Sequence, residues 1–116
     1  MERNTIEVEI SGQKVGFKCG TMAIAIACRE AGVKSIQELF AKMVEQDLLT
    51  ILALFYGSAC QFANKKSPEL TMPMVSDWLE KMGEDQAAKV TAVLLESFIP
   101  KNGQASPAEA KPKKKR

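Results

Sequence analysis

Histidine is absent from the 116 residues. Without it there is no imidazole general base, and neither a Ser-His nor a Cys-His nucleophile pair can be built. A mixed Cys/His zinc site is excluded too. Cysteine is scarce and odd in number, with Cys19, Cys28 and Cys60 alone and no CxxC spacing. These read as reduced thiols of a cytoplasmic protein, with Cys28 and Cys60 as small core residues. Neither G-x-x-x-x-G-K-[ST] nor G-x-G-x-x-G occurs, so no phosphate-cradling glycine loop is signalled. The most apolar stretch, LLTILALFYGSACQFA over 48–63, is interrupted by Thr50, Gly57, Ser58 and Gln61. It falls short of the roughly 18–20 apolar residues that span a bilayer. The opening Met1-Glu2-Arg3-Asn4 leads into alternating residues rather than the apolar run of a signal peptide.

What is present fits a folded domain. Hydrophobic residues make up 46% and charged residues 26%, enough for a core without disulfides or metal. The net charge of +2 hides an asymmetry. Residues 1–99 carry 10 basic against 13 acidic side chains, and residues 100–116 carry 6 against 1. A body that repels phosphate is not the footprint of a nucleic-acid-binding domain, which gathers basic residues on a folded face. Acidic neighbours do occur: Glu84 with Asp85, Glu7 with Glu9, Asp77 with Glu80. Each falls at a helix start or on a polar face, and Glu84-Asp85 suits a helix dipole better than a metal. The expectation is a non-enzyme with no catalytic residue, cofactor or metal, whose work is binding another protein.

Periodicity divides the chain. TIEVEI (5–10) alternates, Ser11-Gly12-Gln13 supplies turn chemistry, and KVGFK (14–18) alternates again, so a β-hairpin is predicted. Thr21 is expected to cap a helix running to about Ala31 and stopped by Gly32. TMAIAIAC also fits a strand through Ile24 and Ile26; the ending Arg29-Glu30-Ala31-Gly32 decides for helix. Ser35 and Glu38 form a capping box ahead of a stripe of Ile36, Leu39, Phe40, Met43 and Val44. Asp47 is expected to cap a helix over about 48–64, apolar nearly all round and therefore central. Asn64 to Pro68 reads as a loop. Thr71 caps a helix with Pro73 in its first turn, where a missing N–H is harmless, and Gly83 ends it. Val75, Trp78, Leu79 and Met82 form its buried stripe. A last helix runs from Asp85 to Phe98, with Ala87, Val90, Val93, Leu94 and Phe98 inward. The fold class is thus mainly α (α+β): a short N-terminal hairpin, then about five helices around a central apolar one. A single domain is expected over 1–99, with a basic tail over 100–116 that reads as disordered by composition.

Binding surfaces are sought among apolar residues the core does not need. Methionine adapts to varied partners. Met43 and Met82 sit on core stripes, so Met72 and Met74, flanking Pro73, are the better surface candidates. Trp78 joins them as a large anchor in a small domain. Exposed parts of Phe55, Tyr56 and Phe62 complete the candidate partner-binding set.

The stretches REAGVKSIQELF, DLLTILALFYGSACQF and SPELTMPMVSDWLEKM follow the hairpin in that order. The arrangement over roughly residues 5–98 resembles the tail assembly chaperones of long-tailed bacteriophages and related prophage elements. The resemblance implies a non-enzymatic protein of the bacterial host cytoplasm, absent from the mature virion. It implies binding and solubilising of the helical tape measure protein, and help in recruiting tail tube subunits. Such chaperones are often made in two lengths by a programmed frameshift near the end of the first reading frame. Lys113, Lys114, Lys115 and Arg116 would then mark the shift region, with Asn102–Pro112 as a linker to an added domain. A homo-oligomer is compatible, because a helix-binding groove can accept a neighbour's helix. The competing readings are a nuclear-localisation-like PKKKR, a nucleic-acid binder working through the basic tail, and a small helical adaptor. Against the second, the helix near Met74–Met82 carries Asp77 and Glu80 against one Lys81.

Overall fold

A computed structural model describes residues 3–63, 70–96 and 98. The chain forms a hairpin of β1 (Thr5–Ile10) and β2 (Gln13–Lys18), followed by α1 (Thr21–Ala31), α2 (Ile36–Val44), α3 (Leu48–Ala63) and α4 (Met72–Leu94). It is mostly helical with one two-stranded antiparallel sheet. The expected loop at Asn64–Pro68 and the basic tail lie outside the described residues.

The hairpin closes as its sequence demands. Ile10 pairs with Gln13 across Ser11 and Gly12, which have φ of 51° and 79°. Two successive left-handed residues make the tight turn whose twist matches the strands. Val8, Ile10, Val15 and Phe17 are buried, while Glu7, Glu9 and Lys14 face water. Below the hairpin lies α3, in which every residue from Ala53 to Cys60 is buried.

Helix ends explain the connections. Gly32, at φ 75°, ends α1, with its N–H donating to Arg29 and that of Val33 to Cys28. That is the paired-bond stop that favours glycine. Gln46 does the same after α2 at φ 61°, with Gln46 N–H donating to Met43 and Asp47 N–H to Lys42. Ser35 accepts from the Glu38 amide at 3.1 Å, but the Glu38 carboxylate reaches the amide of Lys34 rather than that of Ser35. Asp47 takes the Thr50 hydroxyl at 2.6 Å, which lets Thr50 be buried. Thr71 caps α4 by accepting from the Met74 amide, as expected.

Three expectations are corrected. Thr21 does not cap α1. The capping position is Gly20, and the amides of Gly20 and Ala23 both donate to Gln61 Oε1 at 2.9 Å. A side chain from α3 thus satisfies orphan amides that local sequence leaves open. The two helices expected over 71–98 are one element, so there are four helices among the described residues rather than about five. The expected break at Gly83 is there, at φ 85° and ψ 167°, a non-helical conformation open to glycine, and the two halves run on from it as one kinked element. The bend has a packing reason. At 100° per residue, a continuous helix would point Val90 and Leu94 about 90° away from the direction of Val75 and Met82. Breaking the helix at Gly83 lets both halves bury their stripes. Finally, helix ends at Leu94, and Phe98 packs edge-on against Phe40 from beyond it, with centroids 6.0 Å apart.

The residue before β1 is tied to the end of α4. Asn4, buried and at φ 58°, donates from Nδ2 to the carbonyl of Leu94 at 2.6 Å. Asparagine tolerates that backbone better than most side chains. Its amide meets a carbonyl in the last turn of α4, which has no partner within the helix.

Candidate partner-binding groove

An open groove of about 370 Å³ lies where the hairpin meets the end of α3 and the start of α4. Its walls come from Gln13 to Gly16 of β2, from Ala59, Phe62 and Ala63 of α3, and from Leu70, Met74 and Trp78. Three of the residues expected to bind a partner, Phe62, Met74 and Trp78, therefore share one depression.

Each is set by local chemistry. The Phe62 ring rests on Gly16, where a Cβ would come within 2.2 Å of it. A glycine inside a strand marks a close approach of this kind. Trp78 sits edge-on to Phe17, centroids 6.3 Å apart at 82°, and Phe17 in turn meets Phe55 at 5.4 Å. The indole is thus anchored in the core while remaining half-exposed at the groove. Met74 is 39% exposed and Phe62 37%. Lys14 is the charged side chain among the lining residues.

Other candidates fall elsewhere. Met72 is half-buried, packs against the core and does not line the groove. Phe55 is fully buried and Tyr56 nearly so, at 5%. The expected exposed parts of these two are corrected: α1 covers α3 on one flank, and Phe17 of the hairpin closes over Phe55 on another. Lys113 to Arg116 lie outside the described residues.

The sequence reading missed a second apolar surface. Val44 is 82% exposed, Leu48 80% and Leu49 48%, all at the corner between α2 and α3. Helical spacing places Val44 on an apolar stripe and Leu48 in a helix that is apolar nearly all round. Periodicity identifies an apolar face but cannot say whether another element covers it. The wall residues Val15, Gly16 and Leu70 were also not singled out, although Gly16 inside an alternating strand was a signal.

The thiols are poorly suited to nucleophilic work. Burial pushes Cys19 up to about 11. The neighbouring Ser58 eases that rise, though its Oγ closes no hydrogen bond of full geometry among the described residues. Burial also raises Cys60 and Cys28, Glu38 adding to the rise at Cys28. A thiol held protonated at neutral pH is a weak nucleophile and a weak metal ligand. No group of three or more acidic or thiol side chains is placed to hold a metal among the described residues, and no described helix is long and apolar enough to cross a membrane. Compared with family models, curated proteins and solved structures, the chain matches none.

Proposed function

We propose that this chain is a non-enzymatic protein-binding module that covers an apolar helical segment of its partner in the groove at Phe62, Met74 and Trp78. The observation that carries the reading is their convergence on one open depression, with Trp78 held rigid by Phe17 and Met74 free to adapt. A rigid aromatic beside a flexible thioether suits reversible capture of an amphipathic helix. The resemblance to tail assembly chaperones makes the tape measure protein the preferred partner, with the tail tube protein recruited afterwards. Weak contacts repeated along a long partner give avidity without permanent attachment.

Coexpression with a candidate tape measure protein tests this directly. The native chain should raise the partner's soluble fraction, and the Phe62→Glu, Met74→Glu double variant should lose that effect. Both side chains are more than a third exposed, so the variant should fold. A partner that stays insoluble beside the native chain, or stays soluble beside the folded variant, overturns the reading. Weighing every product of the native gene by mass spectrometry tests the frameshift. A minor longer product fused beyond Lys113–Lys115 is expected; a single product would remove that support.

A further inference from the structure

The outer edge of the hairpin offers a second surface, which shares only Lys14 with the groove. The Cys19 amide donates to the Asn4 carbonyl at 2.9 Å, and the register places Ile6 opposite Phe17, Val8 opposite Val15 and Ile10 opposite Gln13. In an antiparallel ladder, bonded and non-bonded pairs alternate. Counting from the bonded Asn4–Cys19 pair, Ile6, Val8 and Ile10 bond inward to β2. Thr5, Glu7 and Glu9 therefore turn their N–H and C=O groups outward. No further hydrogen bond takes up these backbone groups among the described residues. At about 3.4 Å per residue, the open edge runs for roughly 14 Å. An open cleft of about 420 Å³ follows it, lined by Thr5, Ile6, Glu7, Val8, Glu9 and Lys14.

Charge says what fits there. Glu7 and Glu9 are exposed and, two residues apart, share one face of the strand. Neither makes an ion pair among the described residues. Glu9 lies opposite Lys14 and Glu7 opposite Gly16, with Lys14 and Lys18 diagonal to Glu7 on the β2 side, so the two carboxylates are the charges nearest to a strand added on the outer side of β1. On the other face, half-buried Ile6 and buried Val8 border the cleft. We infer that β1 accepts an extended segment of a partner protein in which basic residues alternate with apolar ones. The basic residues meet Glu7 and Glu9, and the apolar ones lie along Ile6 and Val8. Backbone pairing supplies the attachment and the alternation supplies the selectivity. A second copy of this chain is the wrong occupant. An antiparallel β1–β1 pair centred on Glu7 sets two carboxylates face to face, which is destabilising and guards the edge against self-pairing.

The test uses the full chain and blocked peptides about eight residues long, matched to a strand. One alternates Lys with Val, one alternates Glu with Val, and one is the Lys-Val peptide N-methylated at every second residue along its pairing edge. Amide exchange and NMR titration are read at Thr5, Glu7 and Glu9. The Lys-Val peptide should slow exchange of these three amides about tenfold or more, the change expected when an exposed amide gains a lasting partner. The Glu-Val and N-methylated peptides should not, and Glu7→Lys should weaken Lys-Val binding about tenfold through like-charge repulsion. Unchanged exchange, equal binding of the N-methylated peptide, equal binding of the Glu-Val peptide, or full affinity in Glu7→Lys would each overturn the proposal. The groove variant Phe62→Glu, Met74→Glu should bind the Lys-Val peptide normally, which separates this site from the groove.

Discussion

Leu48 and Leu54 stand about 9 Å apart on the axis of α3, at 1.5 Å rise per residue. Leu48 is 80% exposed and Leu54 is fully buried. The difference is made by neighbours, since the residue type is the same. From Ala53 to Cys60 the helix is enclosed, with α1 so close that a Cβ on Gly57 would lie 2.5 Å from the Ala23 carbonyl oxygen. Around Leu48 the chain has just turned through Gln46, and Leu48, Leu49 and Val44 are left in water. The middle of α3 builds the fold, while Leu48 and Leu49 in its first turn and Phe62 near its end keep apolar surface exposed.

The sharpest test is one substitution at both places. Leu54→Ala should destabilise by about 3.5 kcal/mol, the middle of the range for emptying a leucine site in a core. Leu48→Ala should change stability by less than about 0.5 kcal/mol, as surface changes usually do. Urea denaturation of the two variants reads both values. Similar losses at both positions would mean that the first turn is covered and the contrast is false.

Gly57→Ala should come next, destabilising by about 2–3 kcal/mol through overpacking. The obstacle is backbone, so α1 must move rather than a side chain rotate. Alanine normally improves a helix interior by up to about 1 kcal/mol relative to glycine. A net loss in thermal or urea unfolding would therefore isolate the close approach of α1, and a gain would show that α1 and α3 are not so tightly pressed.

The buried half also predicts an alkaline limit. Burial raises Cys19 from 9.0 to about 11 in the folded chain. The unfolded thiol ionises first, so this group's contribution is fully present below about pH 9 and is lost as pH rises towards 11. At 1.36 kcal/mol per unit, the full loss is about 3 kcal/mol, of which about 2 is reached by pH 11. Urea midpoints between pH 8 and 11 should fall, and Cys19→Ala should flatten that slope whatever its effect at pH 8. An equal slope in the variant would place the alkaline sensitivity elsewhere.

How far these contrasts could be read in advance depended on distance along the chain. The hairpin turn, the stop at Gly32 and the Thr71 cap depend on residues within a few positions, and all were legible. Gln61 capping α1 was not, because its partners lie 38 and 41 residues away. The break at Gly83 was legible, because a glycine inside a helical pattern is itself a local signal. The groove was half legible. Phe62, Met74 and Trp78 were marked as apolar residues of three separate kinds, and only folding brought them to Gly16. Phe55 and Tyr56 resembled them in sequence and are enclosed, for the reason that separates Leu54 from Leu48.

The smallest expected effect lies at the corner itself. Gln46 holds φ 61° to end α2, a left-handed conformation that side chains resist. Glycine adopts it freely but gives the unfolded chain more freedom. The first effect, relief of about 1–2 kcal/mol, should exceed the second at about 0.5–1 kcal/mol. Gln46→Gly should therefore stabilise by about 0.5 kcal/mol, read as a small rise in Tm. The sign matters more than the size, because the Gln46 side chain is exposed and little of its burial is at stake. A loss of stability would mean that Gln46 takes part in packing at the corner, and that Val44 and Leu48 are less free than their exposure shows.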